Sequence, residues 1–270
     1  MEPERGTPWD ARLEDAALAF LDLEMTGLDV ERDRVVEICA ERVVGGRCVG
    51  RVETLLWPGD ERVGGASHVH GLTPEVLRGA PTFESIVAEV VDVIDGAILV
   101  AHAAAWDARF LRAELARAGR PMELQHWIDT LVLSRRSFAL PNHSLSALRA
   151  HFGLDVAGAH RAGADVAALR YVFQRCVEAL GARSARDLWE VRVTERRARS
   201  EILAALAGAV EAGVPVLVTY RASRRAPEEL RVVVTELVTD LDPPRAIGYL
   251  LPSRGRRELR ADRILRVDPA

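Results

Sequence analysis

Two carboxylates, Asp22 and Glu24, stand two residues apart in the apolar stretch "AFLDLEMTG", which closes at Gly27. In a strand, residues i and i+2 point to the same face, so the two acids would sit side by side. Carboxylates brought together in an apolar setting repel one another, and each loses its hydration. A divalent cation relieves both penalties at once. Hard oxygen ligands suit Mg²⁺ or Mn²⁺, which take few protein carboxylates and fill the rest of the shell with water and phosphate oxygens. The competing reading is a solvent-facing acid, or one neutralised by Arg32 or Arg34. For an isolated Asp-x-Glu that plainer reading prevails.

Further acids change the balance. Asp107 lies in "LVAHAAAWDARFL", just beyond an apolar run and at the entrance to a helix. Asp165 lies in "HRAGADVAALRYVF", five residues after His160 and in the first turn of a helix. Taken singly, each is an acid favoured at a helix start by the macrodipole. Together they form an ordered set: Asp-x-Glu, then Asp, then His-x4-Asp.

The elements that must position this set follow from periodicity. "AALAFLDLEMTG" reads as a central strand, and "RVVEICAERVVGGRC" with "RVETLLWP" as a meander of hairpins turning at Gly45-Gly46. Phe83, Ile86, Val87, Val90, Val91 and Ile94 recur in steps of three and four, the mark of an amphipathic helix. "AILVAHA" reads as a buried strand, followed by a helix through Phe110, Leu111 and Leu115. Further helices are expected at 129–137, 144–152 and 162–180. Strands first, then alternating strand and helix, predict an α/β fold with a mixed sheet flanked by helices. After Gly181 the character changes. "ARSARDLWEVRVTERRARS" fits a linker or exposed helix, and "SEILAALAGAVEAG" a short helix. "VPVLVTYRAS", "LRVVVTELVTD", "AIGYLLPS" and "RELRADRILRVD" are short β-type runs that predict a small β-barrel-like module. The expected domains are 1–180, a linker and helix at 181–212, and a β module at 213–270.

At 270 residues, 49% hydrophobic and 28% charged, the chain has the composition of a globular protein with one large or two ordinary domains. No apolar run approaches the roughly 18 residues of a membrane span. The N-terminal "MEPERGTPWDARLEDA" lacks the apolar core of a signal peptide. Three cysteines without metal-type spacing suit a reducing compartment, so a cytoplasmic location is expected. There is no lysine, and all 36 basic residues are arginine. Residues 1–180 carry 19 Arg against 27 acids, a net −8, whereas residues 181–270 carry 17 against 13, a net +4. The front half would repel a polyanion unless metal ions intervened, and the rear half would attract one.

The ordered set resembles the DEDDh group of 3′→5′ exonucleases, to which the proofreading epsilon subunit of bacterial DNA polymerase III belongs. "DLEMTG", "HAAAWD" and "HRAGAD" match its three motifs in order, and "HVHGLTPE", "AILVAHA", "IDTLVLSRR" and "NHSLSALRAHFGLD" match the connecting segments. The likeness spans roughly residues 16–180. It implies a ribonuclease H-like sheet in which Asp22, Glu24, Asp107 and Asp165 hold two divalent ions, Mg²⁺ or Mn²⁺, and His160 is the general base. Such chemistry suits these residue types, since two metals clamp a scissile phosphate and imidazole takes a proton near neutral pH. The resemblance also places the backbone of Thr26, Gly27 and Leu28 against the terminal nucleotide, with His70 near the 3′ end and His102, beside the second motif, among the substrate contacts. His70 reads equally well as a loop histidine satisfied by backbone. Ala103 stands where many relatives have asparagine, which removes a supporting hydrogen bond but no metal ligand. His68, His126, His143 and His151 read as surface or capping residues, and Asp129 as a helix cap. Trp106 reads as core, with base stacking as the alternative.

"DLEMTGLD" also matches oligoribonucleases, whereas "HVHGLTPE" through "LVAHAAAWD" follows the polymerase-proofreading pattern, so the sugar preference stays open. The rear runs resemble the WYL domain, a small SH3/Sm-like β module, with Gly248-Tyr249-Leu250 at the name-giving triplet and Arg231, Arg257 and Arg263 near its basic positions. Arginines near Tyr220 and Tyr249 would bind single-stranded nucleic acid or a nucleotide; a dimerisation or packing module is the alternative. The expected function is a metal-dependent 3′→5′ exonuclease on DNA, preferably single-stranded, that releases nucleoside 5′-monophosphates beside a polymerase or repair partner and away from membranes. The alternatives are an exoribonuclease on short RNA and a non-enzymatic nucleic-acid-binding regulator.

Overall fold

The computed structural model describes residues 2–60, 71–154, 161–221, 227–240 and 243–270. Its first unit comprises residues 1–139 and 143–192, its second 140–142 and 193–270. In the first unit, "LAFLDLEM" forms β1 (Leu18–Met25), and its neighbours β2 (Val35–Val44) and β3 (Arg47–Leu55) extend an antiparallel meander. A single turn α1 (Pro74–Leu77) and the amphipathic α2 (Phe83–Ile94) lead to β4 (Ile98–Ala101), which pairs parallel to β1. Then α3 (Ala105–Arg117) crosses over to β5 (Trp127–Asp129), parallel to β4. Helices α4 (Thr130–Ser137), α5 (Leu145–His151) and α6 (Ala162–Leu180) follow within a residue or two of the spans expected from sequence. The sheet order is β3-β2-β1-β4-β5, the predicted mixed sheet flanked by helices.

Both faces of this sheet are covered, and they differ in chemistry. Ala19, Leu21, Leu23, Ile38, Ala40 and Val52 form one core with Phe83, Ile86 and Val90 of α2 and Phe110, Leu111 and Leu115 of α3. The alternation of side chains then sends Phe20, Asp22 and Glu24 to the opposite face, where α6 packs on β1 and β2. Phe20 meets Phe173 of α6 edge to face, with ring centroids 5.3 Å apart. That face is charged. Arg161 binds Glu37 at 3.0 Å, and Arg170 binds Glu41 at 2.8 Å, so two ion pairs fix α6 along β2. Gly163 makes the closest approach: a Cβ there would lie 2.0 Å from a Glu53 carboxylate oxygen.

After α6, one continuous helix α7 (Ala185–Ala212) takes in both the arginine-rich stretch, which sequence offers as a linker or exposed helix, and the expected short helix. The arginine-rich stretch contains neither Gly nor Pro, so nothing in it breaks a helix. The second unit is a five-stranded antiparallel sheet in the order β10-β6-β7-β8-β9, formed by β6 (Val216–Tyr220), β7 (Glu228–Val238), β8 (Arg245–Leu250), β9 (Arg256–Arg260) and β10 (Ile264–Pro269). A 3₁₀ turn at Ala261–Arg263 divides what reads in sequence as one run, "RELRADRILRVD". One face buries Val218, Val232, Val234, Ala246, Leu259 and Ile264 against Leu206 and Ala209 of α7. The sheet runs from edge to edge, and among the described residues no pairing closes the expected barrel. At Gly248 a Cβ would come within 2.1 Å of the Val233 carbonyl oxygen, so no side chain, tryptophan included, fits there. No helix among the described residues is long and apolar enough to cross a membrane.

Candidate active site

The carboxyl ends of the parallel strands are where open α/β sheets place ligands, and the acidic set gathers there. Asp22 and Glu24 project from β1, and Asp165 comes from the first turn of α6. One carboxylate oxygen from each of these three lies within 4.8 Å of the others. Asp107, in the first turn of α3, is buried, with the backbone N–H groups of its own residue and of Leu23 favouring its anion. Its charge acts on Asp22 more strongly than that of Asp165, Glu24 or Glu37. Carboxylates 85 and 143 residues apart from Asp22 in the chain therefore meet it in the fold. His160 and His70 lie outside the described residues.

Electrostatics identify this as a site short of positive charge. Burial, followed by the neighbouring charges of Asp107, Asp165, Glu24 and Glu37, pushes Asp22 well above the usual carboxylate range. Burial, then Asp165 and Glu37, pushes Glu24 up to about 7. Burial also pushes Asp107 up to about 8, against the two backbone N–H groups that favour its anion. Neither arginine that sequence offers as a neutraliser reaches the β1 pair. Arg34 binds Glu114 at 2.7 Å and Glu84 at 3.4 Å, and Arg32 binds Asp29 at 3.6 Å. Asp165 has a protein cation, the buried Arg149, whose Nη1 donates to Oδ1 at 2.5 Å.

Several residues that hold the site were missed in the sequence. Glu37 stands opposite Glu24 in the β1–β2 register, and its pair with Arg161 ties the start of α6 to the sheet beside Glu24. A signal was present, because Glu37 and Glu41 interrupt the apolar strand "VVEICAERVV" and buried acids demand cations. Glu114 of α3 is fully buried. It accepts from Arg34 Nε at 2.7 Å, Arg34 Nη2 at 2.9 Å, the Val35 N–H at 3.2 Å and Arg117 Nη1 at 3.2 Å. It therefore joins the helix that carries Asp107 to the first residues of β2. The long-range partnerships of Arg149 and Glu114 had no local signal, since Asp165 and Arg34 lie 16 and 80 residues away.

The Thr26-Gly27-Leu28 turn is built on Asp33. Its carboxylate accepts from the Thr26 hydroxyl at 2.8 Å and the Asp29 N–H at 2.8 Å, while the Thr26 hydroxyl accepts the Arg34 N–H at 3.1 Å. A Cβ at Gly27 would fall 2.4 Å from an Asp33 oxygen, so this turn needs glycine. Leu28 is left 66% exposed. His102 is turned into the fold. Its Nε2–H donates to the His143 carbonyl at 2.9 Å, which leaves Nδ1 to accept from the Thr130 hydroxyl at 2.9 Å. Both nitrogens are thus engaged, and burial lowers the ring's pKa to about 4. Ala103 adopts φ 61°, a left-handed conformation that asparagine tolerates better than alanine. Its N–H donates to Asp129 Oδ1 at 3.0 Å, and that carboxylate also caps α4 as sequence predicts, accepting the Leu131 N–H at 2.9 Å. Trp106 is not core; it is 39% exposed beside Asp107, with Arg109 5.7 Å over its ring.

An all-oxygen donor set, partly buried, in which Asp22 and Glu24 have raised proton affinities, fits a hard divalent ion. Asp22, Glu24 and Asp165 would hold it, with Asp107 adjacent. Comparison with known proteins identifies related chains. The RNase_T model, described as Exonuclease, matches residues 19–173. PolC-type DNA polymerase III of Thermotoga maritima is 35% identical over 170 residues, which are 63% of this chain and 12% of that protein. The chain thus spans only about an eighth of such PolC-type relatives. The epsilon subunit of Aquifex aeolicus DNA polymerase III is 31% identical over 170 residues, 62% of this chain and 83% of the subunit. Among solved structures, E. coli exonuclease I in its zinc-bound complex with single-stranded DNA aligns with a TM-score of 0.58. At 17% identity over 87% of this chain and 54% of that one, this is a likeness of fold.

Proposed function

The chain belongs to the RNase_T exonuclease family, and from that premise we propose that it is a metal-dependent 3′→5′ exonuclease that hydrolyses DNA from the 3′ end and releases nucleoside 5′-monophosphates. The observation that carries the proposal is the convergence of Asp22, Glu24 and Asp165 oxygens within 4.8 Å, with Asp107 beside them. In this reading the four carboxylates hold two divalent ions, Mg²⁺ or Mn²⁺. Such ions supply Lewis-acid activation of water and charge stabilisation at the leaving 3′-oxygen.

The chain's own residues do the rest. His160 takes the proton of the attacking water, a task for a group with an unperturbed pKa near 6.5. Thr26 and Gly27, fixed by Asp33, present backbone to the terminal nucleotide, and the exposed Leu28 wedges against its base. His70 lies near the 3′ end. His102 braces the loop after β4 from inside the fold. Single strands are the preferred substrate in this reading. The two DNA polymerase relatives favour DNA over RNA and a polymerase or repair partner. Residues 1–180 form the catalytic domain, 181–212 the connection, and 213–270 a WYL-like module that grips nucleic acid.

End-labelled single-stranded DNA and RNA incubated with Mg²⁺ or Mn²⁺ test the proposal. The wild-type chain should shorten DNA stepwise from its 3′ end, and Asp22→Ala should abolish this. Equal cleavage by both proteins would contradict the assignment of the site. Shortening of RNA alone would transfer the reading to an exoribonuclease.

A further inference from the structure

Arg149 brings a buried positive charge to a site that concentrates negative charge, where the other nearby cation, Arg161, is half exposed and pairs with Glu37. Arg149 comes from the last turn of α5, is 3% exposed, and meets Asp165 at 2.5 Å. A packing helix needs no guanidinium there. Its neighbour Leu148 supplies ordinary apolar burial from the same short helix. A buried guanidinium is costly unless an anion compensates it, and a buried carboxylate among other carboxylates is costly unless a cation does. The two residues therefore compensate one another. Asp22 and Glu24 have no such help from the two arginines nearest them in sequence, which are committed to Asp29, Glu84 and Glu114.

We propose that Arg149 is the resident counter-ion of the acidic site, a positioning residue that holds Asp165 in place in the metal-free chain and opposes the charge of an incoming divalent ion. The inference rests on the reading of the acidic set as a metal site. Its consequence is a trade: Arg149 stabilises the chain without metal and weakens the grip on metal. A unit charge a few ångströms from a divalent ion repels it even at an effective dielectric constant of about 20. Removing that charge should therefore tighten ion binding, the opposite of what loss of a simple brace would do.

The test uses the full chain as wild type, Arg149→Met and Arg149→Lys. Mn²⁺ affinity is measured by calorimetry, and the thermal midpoint is measured in chelator and in saturating Mn²⁺. Arg149→Met should bind Mn²⁺ tighter by on the order of tenfold. It should also lose more thermal stability in chelator than in Mn²⁺. Arg149→Lys, which keeps the charge, should remain near wild type in affinity. Weaker Mn²⁺ binding by Arg149→Met, or equal losses of thermal midpoint in both conditions, would overturn the inference while leaving the metal site intact. Absence of Mn²⁺ binding by wild type would overturn the metal reading and this inference with it. If Arg149→Met does not fold without metal, Arg149→Met/Asp165→Asn decides the matter. Recovery of metal-free folding in the double variant supports the counter-ion role, and continued failure assigns Arg149 to packing.

Discussion

At the level of single residues, the site is governed by carboxylates that resist ionisation. Glu24 rises from 4.5 to about 7 and Asp107 from 3.8 to about 8, burial being the main cause for each. The folded, metal-free chain thus holds more protons than the unfolded chain between roughly pH 4 and pH 8. Stability from this source is complete below that window and is lost as pH rises through it. Glu24→Gln should accordingly raise the denaturation midpoint in chelator clearly more at pH 8 than at pH 5; an equal gain at both would contradict the assignment. Ala103 offers a second test, because its φ of 61° is costly for alanine. Ala103→Asn should stabilise the chain by about 0.5–1 kcal/mol in urea titrations. The acids were legible in sequence because each motif is local. Glu37 left a signal, as an acid inside an apolar strand, whereas Arg149 and Glu114 did not, since a charged residue reveals a distant partner only once the chain has folded.

Elements decide whether the acids meet. The α3 helix brings Asp107, and Glu114 on the same helix is the hub that ties it to β2 through Arg34, Arg117 and the Val35 N–H. Glu114→Ala leaves a partly buried Arg34 without its main anion and should cost about 3–5 kcal/mol in chemical denaturation. A loss below 1 kcal/mol would show that α3 is held by its apolar face alone. The α6 helix is located by Arg161–Glu37 and Arg170–Glu41 rather than by hydrophobic packing alone. Helix and strand positions were largely readable, because periods of 3.6 and 2 register burial directly. The helical character of 185–212 as one element was less so, since the arginine-rich run "TERRARS" separates the apolar positions Leu188 and Trp189 from those at Ile202 and Leu206. Trp106 was misread because the apolar run before it suggested a core that its own position, at the rim beside Asp107, does not join.

For the whole molecule, the two units divide the electrostatic work, with the acids of the site in one and a net positive β module in the other. In the second unit a cavity of ≈ 430 Å³ is lined by Thr235, Ile247, Gly248, Tyr249, Arg254 and Arg256. If this module grips single strands, Arg254→Glu/Arg256→Glu should weaken oligonucleotide binding. It should also flatten the salt dependence of log K by roughly 1.4, two phosphate contacts at about 0.7 each. An unchanged slope would remove the module from the interface. The alternating pattern of its strands was visible in sequence, but the open order was not, because strand pairing at the edges depends on partners no local pattern encodes. The central claim, however, concerns the acidic site, and anomalous diffraction from crystals soaked in manganese tests it most directly. Peaks bounded by the oxygens of Asp22, Glu24, Asp107 and Asp165 are expected, and they should vanish in Asp22→Asn. Crystals without such peaks, with protons or guanidinium groups satisfying those four side chains, would contradict it.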